Sequence, residues 1–255
     1  MTLSQPIWRS AGIARASLPL MLVLAAVFAA MRFLGVLGLP GAAPLRALLP
    51  LGFVLMMAAP WLLMDRAGRR QIGLTRTASP RQCTLAMLFG ALAALACFGA
   101  GVLLFGTTAD NWYVTIAASY RANMNTTRLS LTALYLIFTV PAILFSPVGE
   151  EIFFRGMLQR ALEEKFSVRA STVLECAAFG VVHLCHHGLI VSASGLSIRP
   201  VSAVLWMGAM FLVALLFASM RKRSGSLLPA VLSHAVFNAV MNATIFVFLW
   251  RGSAG

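Results

Sequence analysis

The feature that most constrains this 255-residue chain is a succession of apolar runs, each about long enough to cross a bilayer. A hydrocarbon core of about 30 Å takes around 20 apolar residues of helix. Such runs fall at roughly 17–38, 45–64, 82–105, 129–148, 171–191, 200–220 and 227–250. Composition agrees, with 60% apolar and 11% charged residues, against about half and about a quarter in soluble chains. Too few polar side chains are present to cover a water-soluble globule, and a disordered basic tail would need low hydrophobicity. The expected fold is all-α: one integral membrane domain over 1–255, a bundle of about seven transmembrane helices, with its core at 129–245. Arg9 and Arg15 precede the first run as in a signal peptide. That run is long and no small-x-small cleavage site follows, so it is read as a retained helix.

The charges are lopsided, 20 Lys plus Arg against 7 Asp plus Glu, net +13. They come in short clusters between the apolar runs, the pattern of cationic loops and not of a nucleic-acid surface. With the amino terminus in the cytoplasm, fourteen cations lie inside: Arg9, Arg15, Arg66, Arg69, Arg70, Arg76, Arg81, Arg155, Arg160, Lys165, Arg169, Arg221, Lys222 and Arg223. Five lie outside, Arg46, Arg121, Arg128, Arg199 and Arg251, and Arg32 within the first run is read as snorkelling to an interface. The four cysteines, 83, 97, 176 and 185, sit in apolar segments without a CxxC pair and are read as small apolar filler.

Ionisable groups kept at membrane depth are functional candidates by default, because each costs about 2.5–3.5 kcal/mol on insertion. The fourth run ends in Ser146-Pro147-Val148-Gly149 and meets Glu150-Glu151 and Arg155. Ser146 can cap a new helix there, or the prolines can kink a continuous one. Arg155 lies four residues past Glu151, within ion-pair reach, which leaves Glu150 free as a base. The fifth run carries Phe179 and His183, then His186 and His187. The last carries His234 and Asn238 near its cytoplasmic start. Each spacing of four shares a helical face, so a carboxylate pair, a His and a His/Asn pair can converge on a wet pocket near the cytoplasmic face. Glu163, Glu164 and Lys165 read as a solvated helix end, and Glu175 as cavity-facing or snorkelling.

In order and type, Glu150-Glu151-xxx-Arg155, Phe179-xxx-His183 and His234-xxx-Asn238 resemble the three motifs of the CAAX prenyl protease and bacteriocin-processing family, the type II CAAX or glutamic-type intramembrane endopeptidases. The resemblance covers about 150–240; the first 128 residues agree only as hydrophobic spans with a basic loop. It implies a metal-free, cofactor-free peptide hydrolase. Glu150 would be the general base for water, assisted by His183, with His234 and Asn238 as oxyanion hole and Glu151, Arg155 and Phe179 in support. Amide hydrolysis does need a base, a proton carrier and donors aimed at the developing oxyanion. Implied partners are the bilayer and a protein or peptide substrate: a prenylated carboxyl-terminal tail, the leader of a secreted peptide, or a carboxyl-terminal membrane-sorting signal. An Arg-over-Lys, Ala-rich composition points to a GC-rich bacterial genome and so to a bacterial plasma membrane.

Three other readings stand beside this one. A zinc protease could use His183, His186, His187, His234 and the glutamates, although the HExxH of intramembrane metalloproteases is absent. A rhomboid-type serine protease could use Ser194 with His234, but Ser192-Ala-Ser194-Gly195 has loop composition. A protein of the same fold could bind a peptide or confer bacteriocin immunity without cutting, since fold does not fix function. A transporter would show paired broken helices in an inverted repeat, and no such repeat is visible.

Overall fold

The computed structural model describes residues 7–37, 43–123, 129–192 and 195–250; Ser194, Arg128 and Arg251 lie outside the described residues. Among the described residues, seven helices are long and apolar enough to cross a membrane. They are α1 (Ser17–Val36), α2 (Leu45–Leu63), α3 (Pro80–Phe105), α5 (Leu131–Glu163), α6 (Val168–Cys185), α7 (Pro200–Ser224) and α8 (Leu228–Leu249). Between α3 and α5 lies the shorter α4 (Trp112–Asn123). The protein is an all-α polytopic membrane bundle. Large apolar side chains such as Leu62, Leu92, Leu103, Leu212 and Val247 are exposed on its flanks, the surface that acyl chains cover.

Start signals are local. Ser79 caps α3 in a box with Gln82 and has Pro80 behind it, while Ser130 and Ser167 accept from the third residue of α5 and α6; each satisfies a donor that the first turn leaves free. At the other end of α7, Gly225 adopts a left-handed conformation (φ 68°) that closes the turn into α8.

Two boundaries differ from the sequence expectation. The fourth run does not end at 148: Pro141 sits inside the helix, and the chain runs on through Glu150 into a π-helix at Glu151–Leu158 and an α-helical end at Gln159–Glu163. The fifth run does not reach 191: α6 ends at Cys185, Gly188 turns the chain at φ 106°, and Leu189–Ser192 pairs antiparallel with Gly195–Ile198 as a β1–β2 hairpin. An apolar run by itself does not tell a helix from a strand.

The loops at one end of the bundle are tied together. Trp8 and Ser17 donate to the Glu164 carboxylate at 2.7 and 2.5 Å, Ser226 donates to the Arg76 carbonyl at 2.6 Å, and Leu227 to the Gly73 carbonyl at 3.1 Å. Glu164 is thus a half-buried anchor and not a solvated end. Most loop cations, Arg66, Arg69, Arg70, Arg76, Arg81, Arg160, Lys165, Arg169, Arg221, Lys222 and Arg223, gather at this end. Arg155, read as a loop cation, is instead buried within α5. At the opposite end Asp110 pairs with Arg199 at 2.9 Å and Thr115 meets His187 at 2.9 Å. Burial and the nearby Arg199 hold His187 down to about 4, so it is a neutral, structural imidazole at physiological pH.

Backbones approach closely where α3 crosses α8: a Cβ on Gly90 would stand 2.1 Å from the Ser233 carbonyl oxygen, whereas one on Gly99 would meet open space. Gly90→Ala is therefore expected to force the two helices apart at about 1–3 kcal/mol and to lower the melting temperature in detergent, while Gly99→Ala leaves it unchanged.

Candidate active site

The polar side chains of the interior form two clusters on either face of α5. The first holds Glu150, which is fully buried. Its Oε1 accepts from the Ser146 hydroxyl, one helical turn back, at 3.0 Å, and forms an ion pair with Arg32 Nη1 of α1. The same guanidinium reaches His183 Nε2 through Nη2 at 3.2 Å and His186 Nε2 through Nη2 at 2.9 Å. Because a guanidinium only donates, both imidazoles accept at Nε2. His183 therefore carries its proton on Nδ1, which donates to the Phe179 carbonyl at 2.7 Å. Trp206 of α7 donates to the His183 carbonyl at 2.9 Å, fixing the backbone at the end of α6. Burial, then the Arg32 charge, push His186 down to about 3, consistent with a neutral acceptor.

The second cluster holds Glu151. His234 Nδ1 of α8 donates to its Oε1 at 2.9 Å, Arg155 Nε lies 3.2 Å from its Oε2, and Arg155 also lies 3.7 Å from Glu175 of α6. All four are nearly or fully buried. Phe179 stands between the clusters, its ring 4.2 Å from that of His183 and 4.1 Å from the Arg155 guanidinium. Phe217 stacks on His234 at 4.8 Å.

A cavity of about 370 Å³ opens beside them. His183, His234, Asn238 and Phe179 contribute to its wall, as do Arg32, Ser146 and His186. Its remaining lining is mostly apolar, with Phe53, Phe138, Trp206 and Met210 among it. Glu150 does not reach the wall; Arg32 lies over it. The expectation of a free Glu150 is thereby corrected: a lone carboxylate at this depth would be uncompensated, and Arg32, read as a snorkelling cation, is its partner. Asn238 Nδ2 donates to the Ala142 carbonyl at 2.9 Å, so one of its two protons is engaged by α5 and the other remains for a ligand.

The cavity lies between the two ends of the bundle and not at a helix boundary. From the end opposite the cations its wall takes Gly35 and Val36 of the last turn of α1, Pro50 near the start of α2, and Ile116, Ser119 and Tyr120 of α4. From the parts of α7 and α8 nearer the cations it takes Phe217, His234 and Asn238. The reason is the length of α5. A helix ending at 148 puts Glu150 at a boundary, but thirteen further residues follow to Glu163, about 20 Å at 1.5 Å each. Likewise α6 ends just after His183, at the far side.

Among the described residues no group of three His, Cys, Asp or Glu is placed to hold a metal ion. His183, His186 and Glu150 converge on a guanidinium, and His234 converges on Glu151 and Phe217.

Compared with known proteins, residues 132–240 match the family model described as type II CAAX prenyl endopeptidase, Rce1-like. Over that segment the chain is similar to the Rce1-like family. All seven motif residues fall inside the match, and Arg32 falls outside it. The similarity supports, in general terms, a CAAX-type protease embedded in the membrane. Neither the curated proteins nor the solved structures give a match.

Arg155 is the cation for two buried carboxylates. Arg155→Met is expected to cost about 3–5 kcal/mol, the range for a buried pair that loses one member, and exposed Arg169→Met close to nothing. Thermal unfolding of both variants in one detergent checks this.

Proposed function

We propose that the protein is an intramembrane endopeptidase in which Glu150 activates the attacking water. The observation that carries this is the convergence of Glu150 and His183, from two separate spans, on one guanidinium at the wall of a mostly apolar cavity. Oε1 of Glu150 is held by Arg32 and Ser146, and Oε2 has no hydrogen-bond partner among the described residues. Oε2 is thus the oxygen that takes the proton as the water oxygen bonds to the scissile carbonyl carbon. The oxyanion so formed faces the second amide proton of Asn238, and His234, whose Nδ1–H goes to Glu151, adds an Nε2–H when it carries both protons. When the carbon–nitrogen bond breaks, the proton passes to the leaving amine, with His183 as carrier, and the products are a carboxylate and an amine. Glu151 and Arg155 hold His234 in place.

We further propose that the amino terminus is cytoplasmic, following the cationic end of the bundle, in the plasma membrane of a bacterium. Cleavage then takes place within the bilayer, between the two ends of the bundle. That location suits a carboxyl-terminal membrane-sorting signal or an exported leader better than a cytosolic tail. Ile198→Cys, in the exposed hairpin, is expected to react with a membrane-impermeant thiol reagent in intact cells. Arg70→Cys, at the cationic end, should react only after lysis, and the opposite pattern inverts the topology.

Glu150→Gln is expected to lower turnover by about 10²–10⁴-fold, the range for a lost general base, and to make one uncut precursor accumulate in a mass-spectrometric comparison of membrane peptides. Identical peptidomes in the two strains would favour the non-cutting, peptide-binding protein. Wild-type cleavage should survive strong chelators; loss with rescue by zinc would replace the glutamate-and-water mechanism with a zinc one.

A further inference from the structure

We infer that Arg32 is a positioning residue of this site, supplied by the first span: it holds the Glu150 carboxylate by an ion pair and aims the Nε2 lone pairs of His183 and His186 at one point. The inference rests on the protease reading above and adds to it a residue outside the three motifs.

Three observations carry it. First, Arg32 is 6% exposed, although a guanidinium near a helix end would reach water if snorkelling were its role. Second, its contacts are divided so that each donor edge serves a different function: Nη1 meets the Glu150 carboxylate, while Nη2 and Nε meet the two imidazoles at 2.9–3.3 Å. A Lys ammonium carries charge but not this planar fork. Third, charge is balanced locally. The groups around Glu150 are Arg32 from α1, Cys185 from the end of α6, and Ser146 and Arg155 on its own helix, with His183 and His186 joined to it through the Arg32 guanidinium. Arg155 is committed to Glu151 and Glu175, so Arg32 is the cation in hydrogen-bonding contact with Glu150.

Without that cation Glu150 would be an uncompensated carboxylate at membrane depth, no longer held by Nη1. His183 would also lose the donor at its Nε2. Arg32 thus acts through Glu150 and His183, and its removal should appear in turnover, with little change in KM.

The test uses the full-length protein in detergent with a library of quenched-fluorescent peptides as probe. Arg32→Gln is expected to lose on the order of 100-fold in kcat and to keep KM within about threefold. Arg32→Lys should regain about tenfold of that loss, because the charge is kept and the planar fork is not. Unchanged kcat in Arg32→Gln, a loss carried by KM, or no regain in Arg32→Lys overturns the inference. A stability cycle reads the same pairing without any substrate. Arg32→Gln and Glu150→Gln should each lower the melting temperature, and the double variant should recover part of the loss; strictly additive losses overturn the pairing. If the wild type cleaves nothing while the cycle shows coupling, the protease reading fails and the Arg32–Glu150 pairing stands.

Discussion

An ionised carboxylate in the middle of an apolar bundle persists only with a cation and donors against it, and this constraint organises the protein. Glu150 and Glu151 are neighbours on one turn of α5, so their side chains diverge and each needs its own partner. Glu150 draws in Arg32 and, through it, the end of α6. Glu151 draws in Arg155 and His234 of α8. Four of the seven spans are thereby cross-linked by groups that would be costly alone. The π-helix that starts at Glu151 has all eight of its residues buried. Such wide turns occur frequently at functional sites, and here the wide turn coincides with the point where the two charge systems part.

Phe179 meets both of those systems. Its ring touches both the His183 imidazole and the Arg155 guanidinium, so a residue that looks like core packing also borders the cluster at the cavity and the cluster behind it. The cavity-side cluster includes groups able to exchange protons with a substrate. The rear cluster is closed on itself and fixes His234, whose ring still borders the cavity.

Much of this was legible in the residues. Seven apolar runs and their charges foretold the bundle, because nothing else in a chain this poor in polar groups could satisfy the backbone in lipid. The spacing of four in Phe179–His183 and His234–Asn238 correctly placed each pair on one face, and Glu151–Arg155 is the ion pair that its spacing suggests. What was not legible depended on distant contacts. Arg32 sits in the last turns of α1, where snorkelling explains a cation as well as function does, and only the fold brings it beside a glutamate 118 positions away. The rule that flagged the glutamates, charge at membrane depth, applies equally to Arg32 and was the available signal. The ends of α5 and α6 were misjudged because a proline inside a helix and an apolar strand both imitate other boundaries.

The Arg32–Glu150 pair also carries a consequence for how the chain is made. Spans enter the membrane in order, so Arg32 is inserted while its counter-charge is still 118 residues from being synthesised. An unpaired arginine costs a few kcal/mol at that stage, a burden that the otherwise uncharged first span can carry. When α5 follows, Glu150 arrives against a cation already in place, and the imidazoles of α6 close the group next. A truncated or half-inserted chain therefore holds the two halves of this centre apart, and competence is acquired only as the bundle is completed.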